Sequence, residues 1–351
     1  LDRVYFVSSG SEAIEASLKL AKQYFIEIGK PKKHRVISRK QSYHGNTLGA
    51  LAVGGNAWRR SLFEDLLIET SLISPCYKYR HQDANESEID YGLRVANELE
   101  DEIIRLGPDN VMAFIAETVV GATAGALTPV EGYFERIREI CTQYDVLLIL
   151  DEVMCGMGRT GPLFACDEEK IIPDIITIAK GLGAGYQPIA AMMCQNFIYD
   201  AINQGSGFFQ HGHTYLGHPI ACAASLAVVN KLIKESFYEK VIRKGKYLQK
   251  KLEITLGQNE YIGDIRGRGL FRGVELVQNR ETKEPFPKNF NIAGKIKKRA
   301  LDLGLICYPM QGTVDGTIGD HILIAPPFII NENEMNEICQ KLKTSIKNIC
   351  N

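Results

Sequence analysis

Residues 173–185 read PDIITIAKGLGAG. A β-branched run, Ile175-Ile176-Thr177-Ile178-Ala179, ends in Lys180, and glycines follow at 181, 183 and 185. Such a run, bounded by Pro and Gly, reads as a buried strand. Lysine is among the residues least often buried without a partner, and desolvation drives it toward its neutral, nucleophilic form. Lys180 is therefore either a surface charge at a strand end or a reactive amine. The glycines after it let backbone approach a ligand closely.

Outward from this stretch, short apolar runs alternate with helical patterns, the signature of a parallel sheet with crossover helices. The patterning predicts strands over 34–39, 111–117, 146–151, 175–179 and 189–194, and helices over 11–28, 88–106, 131–144 and 218–234. In the first helix Ile14, Leu18, Ala21 and Phe25 share one face. After about residue 236 the order changes: a charged helix over 237–256, strands over 261–266 and 270–276, a helix over 291–303, a strand over 321–325 and a helix over 332–349. We expect a large α/β domain over 1–235 and a smaller α+β domain over 236–351.

The 351 residues are 45% hydrophobic and 24% charged, an ordinary soluble composition that holds a large core. The net charge of −1 gives no general attraction to nucleic acid or an anionic membrane. No apolar run is long enough to span a bilayer. Cysteines at 76, 141, 155, 166, 194, 222, 307, 339 and 350 are odd in number and form no CxxC. That pattern points to reduced thiols and a cytoplasmic setting, with a mitochondrial one left open.

Four motifs carry chemistry. Ser8-Ser9-Gly10-Ser11-Glu12 opens a helix, with Ser9 and Glu12 at capping-box spacing, and a helix N-terminus also cradles phosphate. Leu147-Leu148-Ile149-Leu150-Asp151-Glu152 ends a strand in carboxylates, where ligands of parallel sheets sit. Lys180 ends another strand, and one strand–helix–strand crossover fits between it and Asp151. Two polar loops follow, Gln41-Ser42-Tyr43-His44-Gly45 and Gln210-His211-Gly212-His213-Thr214-Tyr215. No GxxxxGK[ST] accompanies Asp151, which argues against a P-loop nucleotidase, and the His-x-His pair lacks a third ligand at zinc spacing. A phosphate cradle, a strand-end acid, a strand-end lysine and an aromatic loop together suit pyridoxal 5′-phosphate.

At this point the chain resembles the class III, or ω-type, aminotransferases. The resemblance rests on SSGSEAIEASLKLAK, SYHGNTLGAL, AETVVGATAG, LILDEVMCGMGRTG, PDIITIAKGLGAGYQPIAAMM, HTYLGHPIACAASL and IRGRGLFRGVEL, in that order over residues 5–276, with GDHILIAPPFII beyond. It implies a fold type I architecture: a mostly parallel seven-stranded sheet flanked by helices, plus a smaller α+β domain. It also implies amino transfer by a ping-pong route, from an amine or amino acid to a 2-oxo acid or aldehyde. Lys180 would carry the Schiff base and move the proton, Asp151 would face the pyridine nitrogen, and Glu117 would support the ring hydroxyl side. Gly10 and Ser11 would bind the phosphate, Ser11 through its hydroxyl. Tyr43 and Val153 would cover the two ring faces, with His44 beside them. Thr214 would reach the phosphate of a neighbouring subunit in a homodimer with shared sites.

Members of that family carry a substantial segment ahead of the equivalent of Leu1, so we expect the chain to be a fragment of a longer one. Residues 304–327 contain no arginine where many members place the carboxylate-binding one, and Tyr308–Gly316 reads as an extra loop. Arg272 is the candidate substitute, and Arg266 and Arg268 read as structural. Motifs around the cofactor leave a decarboxylating transaminase, an aminomutase or a racemase open as alternatives, together with a non-catalytic paralogue.

Overall fold

The structure, a computed structural model, describes residues 1–350. Seven strands, β1 (Arg3–Val7), β2 (Arg35–Arg39), β3 (Thr70–Ile73), β4 (Val111–Glu117), β5 (Leu147–Asp151), β6 (Ile175–Ile178) and β7 (Ala190–Cys194), form one sheet in the order β1-β7-β6-β5-β4-β2-β3. The run from β3 to β6 is parallel, and β7 is antiparallel to both β6 and β1. Every residue of β4, β5 and β6 is buried, so these strands read as continuous apolar runs.

Helices cover both faces. Introduced in chain order they are α1 (Gly10–Glu27), α2 (Leu48–Ala52), α3 (Ala57–Arg60), α4 (Lys78–His81), α5 (Glu88–Leu106), α6 (Tyr133–Gln143), α7 (Asn196–Gln204) and α8 (Pro219–Lys234). On one face α5 and α6 bury Leu99, Ile103 and Ile137 against Phe114, Leu148 and Ile176. On the other, α1 buries Ile14, Leu18, Ala21 and Phe25, as its periodicity predicts, against Ile115, Ile149 and Ile175. Alternate side chains of β4 and β5 thus serve opposite layers.

A second sheet, β8 (Ile262–Arg268), β9 (Phe271–Leu276), β10 (Tyr308–Gln311) and β11 (Asp320–Ile324), is antiparallel throughout in the order β10-β11-β9-β8. It packs with α9 (Phe237–Leu256), α10 (Ile292–Asp302) and α11 (Glu332–Cys350) around its own core. A buried polar cluster ties this sheet to the first. Glu275 on β9 accepts from Tyr77 Oη, from Arg80 Nε at 2.6 Å and from Arg266 Nη1 at 2.6 Å. Burial pushes the Glu275 carboxyl up, but Arg266 and Arg80 outweigh it and hold it below the usual range. Arg266 also donates to the carbonyls of Ala124 and Gly125, which makes it structural, as expected.

Two expectations are corrected. No α-helix connects β5 to β6; residues 152–174 form turns and one 3₁₀ turn, Ala165–Asp167. Gly156, Gly158, Gly161 and Pro162 interrupt any helical run there. Tyr308–Gly316 is not wholly a loop, because Tyr308–Gln311 is β10, paired with Asp320–Leu323.

Candidate active site

The carboxyl ends of β4, β5 and β6 open into a cleft of about 810 Å³. Gly10, Ser11, Tyr43, His44, Glu117, Asp151, Val153 and Lys180 all line it. Thr214 does not: it is exposed, in the turn before α8.

At one end of the cleft stands the N-terminus of α1. Ser9 caps the helix, its Oγ accepting from the N–H of Glu12 at 3.3 Å. The return bond of the capping box goes one residue further out: Glu12 Oε2 accepts from the N–H of Ser8 at 2.7 Å. The N–H groups of Gly10 and Ser11 are left for a ligand. A Cβ on Gly10 would lie 3.0 Å from Val153 Cγ1. Gly45 has φ +144, and a Cβ there would lie 2.6 Å from Ser11 Oγ. Ser11 Oγ is shared with Asn46, donating to its Oδ1 at 3.0 Å and accepting from its N–H at 3.1 Å.

The acid end is built from two strand termini. Glu117 and Asp151 end β4 and β5 in register. Asp151 Oδ2 lies 2.8 Å from His44 Nδ1, and Asp151 Oδ1 accepts from the N–H of Val153 at 3.0 Å. The Asp151 carboxylate thereby holds the loop of Tyr43 and His44 against the turn after β5 that carries Val153. Glu117 accepts from the N–H of Tyr43 at 3.1 Å and of Gly121 at 2.7 Å. Burial, with Asp151 beside it, raises the Glu117 carboxyl above its ordinary value despite those donors and nearby His44.

Lys180 follows β6 in a 3₁₀ turn, at φ +34, a backbone state that a side-chain-bearing residue rarely holds. It is exposed to the cleft, not desolvated in the core, and forms no ion pair among the described residues. β5 and β6 are neighbours, with Asp151 opposite Thr177, so acid and lysine leave adjacent strand ends.

Sequence reasoning missed Arg159 and Phe328 in the cleft wall, where Met154 also stands. Arg159 donates through Nη1 to the carbonyls of Leu270 at 3.3 Å and Pro326 at 2.7 Å, with its guanidinium 4.4 Å from the Phe328 ring centroid. Its available signal was an arginine in a glycine-rich loop, Gly156–Gly161, just past a strand-end acid. Arg272 is corrected: it lies outside the cleft and donates to the carbonyls of Gly245, Gly267 and Gly269 and to Gln249.

The family profile described as aminotransferase class-III matches residues 1–346. The chain belongs to the class III aminotransferases. An uncharacterized aminotransferase of Schizosaccharomyces pombe is 45% identical over 345 residues, covering 98% of this chain and 75% of that protein. An uncharacterized aminotransferase of Bacillus subtilis is 42% identical over 334 residues, 95% of this chain and 75% of the relative. An omega transaminase of Pseudomonas jessenii, solved in complex with PMP, superposes with a TM-score of 0.92 at 34% identity, covering 99% of this chain and 76% of that one. The aminotransferase works with pyridoxal 5′-phosphate, and the donor set fits it. Free helix N–H groups suit a phosphate, a strand-end carboxylate suits a protonated pyridine nitrogen, and an unpaired amine suits an aldehyde.

Proposed function

We propose that this chain performs its amino transfer in the β4–β6 cleft, with Lys180 and Asp151 as its catalytic residues. One observation carries the reading: both groups leave the carboxyl ends of neighbouring strands into the cavity that the α1 N-terminus also enters. Pyridoxal 5′-phosphate, when bound, supplies an aldehyde that captures the donor amine and a ring that accepts the electron pair left on carbon. Lys180 Nζ would take the proton from the donor carbon and deliver it to the cofactor's former aldehyde carbon, on the far side of the transferred nitrogen, as base and then acid. Asp151 holds a proton at the pyridine nitrogen, its carboxylate kept in place by His44 and the Val153 N–H. Gly10 and Ser11 bind the phosphate, while Tyr43, braced by Glu117, and Val153 flank the ring. Donors are amines or amino acids, and acceptors are carbonyl compounds of the 2-oxo acid class.

A homodimer with shared sites is part of this proposal. It is supported by exposed apolar side chains at Leu62, Leu66, Phe208, Tyr215, Ile220 and Leu226, of which the last four flank Thr214 along the chain. The deciding experiment is borohydride reduction of the protein loaded with pyridoxal phosphate, followed by peptide mapping. The expected adduct is on Lys180. Lys180→Ala is expected to lose the adduct and to slow amino transfer by roughly 10²–10⁴-fold or more. An adduct on any other lysine overturns the assignment.

A further inference from the structure

Arg59, on α3, lies behind the cleft wall. Its guanidinium carbon is 4.4 Å from the centroid of the Tyr43 ring, and Tyr43 lines the cleft while Arg59 does not. Among the described residues Arg59 forms no ion pair, and its buried Nε has no hydrogen-bond acceptor. A cation without an acid therefore sits against an aromatic ring that lines the cleft. The ring is its principal partner, with the Trp58 ring farther away at 5.6 Å.

What fixes Arg59 comes from the other sheet. Asn56 caps α3, accepting from the N–H of Arg59 at 3.3 Å, and its Nδ2 donates to Gln41 Oε1 at 3.0 Å. Gln41 Nε2 donates to the carbonyl of Gly312 at 2.5 Å, and Thr123 Oγ1 donates to the Gln41 carbonyl. Gln41 is buried at φ +61, a strained state for a side-chain-bearing residue, so these bonds hold it. Gly316 has φ +92, and a Cβ there would meet the backbone N of Ala57 at 3.0 Å. The β10–β11 loop, residues 312–319, thus grips Gln41 and α3, on either side of the Tyr43 loop.

We propose that Arg59 is a positioning residue for the cofactor: it presses the Tyr43 ring into place as a wall of the cleft, and the β10–β11 loop holds Arg59 there. Arg59 touches no reacting atom and acts through Tyr43. This rests on the reading of the cleft as the cofactor site, and trapping on Lys180 in the unaltered protein tests that reading separately.

The test is a titration of the apoprotein with pyridoxal 5′-phosphate, followed by absorbance and equilibrium dialysis. Arg59→Met is expected to weaken binding roughly tenfold, and Arg59→Lys, which keeps a cation over the ring, to recover most of the loss. On a Tyr43→Ala background Arg59→Met is expected to add nothing, because the route to the cofactor is already gone. Unchanged binding by Arg59→Met, a lysine variant no better than the methionine one, or losses that simply add each overturn the proposal. If Arg59→Met does not fold, Arg59→Gln, which also removes the cation, takes its place in both comparisons. Failure of the unaltered protein to be trapped on Lys180 overturns this proposal and the cofactor site together.

Discussion

Arg272 shows how completely a buried guanidinium can be consumed by its own fold. It donates to three backbone carbonyls and to Gln249, and burial pushes it down to about 10. Arg272→Gln strands those carbonyls, so unfolding in denaturant is expected to become easier by roughly 2–4 kcal/mol. The Michaelis constant for a 2-oxo acid acceptor is expected to stay the same, since Arg272 does not reach the cleft. Steady-state kinetics beside a denaturant melt check both halves; a raised Michaelis constant with normal stability would count against this account. Arg159 differs by facing the cleft while its Nη1 anchors two carbonyls, so it joins the ligand cavity to the backbone after β11.

The β10–β11 hairpin makes its own prediction. Thr313 Oγ1 lies 2.6 Å from His321 Nδ1, and His321 is fully buried. Burial, with Arg266 adding to it, lowers the imidazole to about 3, so the folded chain keeps it neutral where an unfolded chain protonates near 6.5. The folded state therefore binds fewer protons between these values. The stability this confers is complete above about 6.5 and is lost as pH falls toward 3, amounting to roughly 2 kcal/mol at pH 5. His321→Gln is expected to flatten that acid slope, read as the urea midpoint between pH 7 and pH 5; parallel slopes would exclude His321 as its source. The same hairpin marks where sequence reading stops. β4, β5 and β6 are buried on both faces and legible as apolar runs, and their ends named Asp151 and Lys180. β10 is an edge strand that carries Pro309, which hides it from a strand pattern. β1 is a half-exposed edge and was missed for a related reason. Gln41 and Arg59 acquire their roles only when residues 312–319 fold over them, and no local spacing encodes that contact.

At the scale of the molecule the proposed dimer has a sharp test. If Thr214 serves the neighbour's phosphate, Thr214→Glu places a negative charge against it and is expected to empty that site. Lys180→Ala is inactive for a different reason. Mixed and reassociated, the two variants are expected to recover about a quarter of the normal sites, because each heterodimer carries one site free of both changes. Sedimentation establishes the dimer, and a mixture that stays inactive refutes the shared site. The sheet order has a consequence in time as well. A ribosome delivers β1 before the other six strands of this sheet, yet β1 pairs with β7, made roughly 190 residues later. At ordinary synthesis speeds that is a wait of roughly ten to forty seconds. Throughout it the strand with Val4 and Phe6 waits for its sheet partner, and the helix it leads into has no finished sheet to rest on. The large sheet therefore closes only once β7 has emerged, with the smaller sheet still to be made.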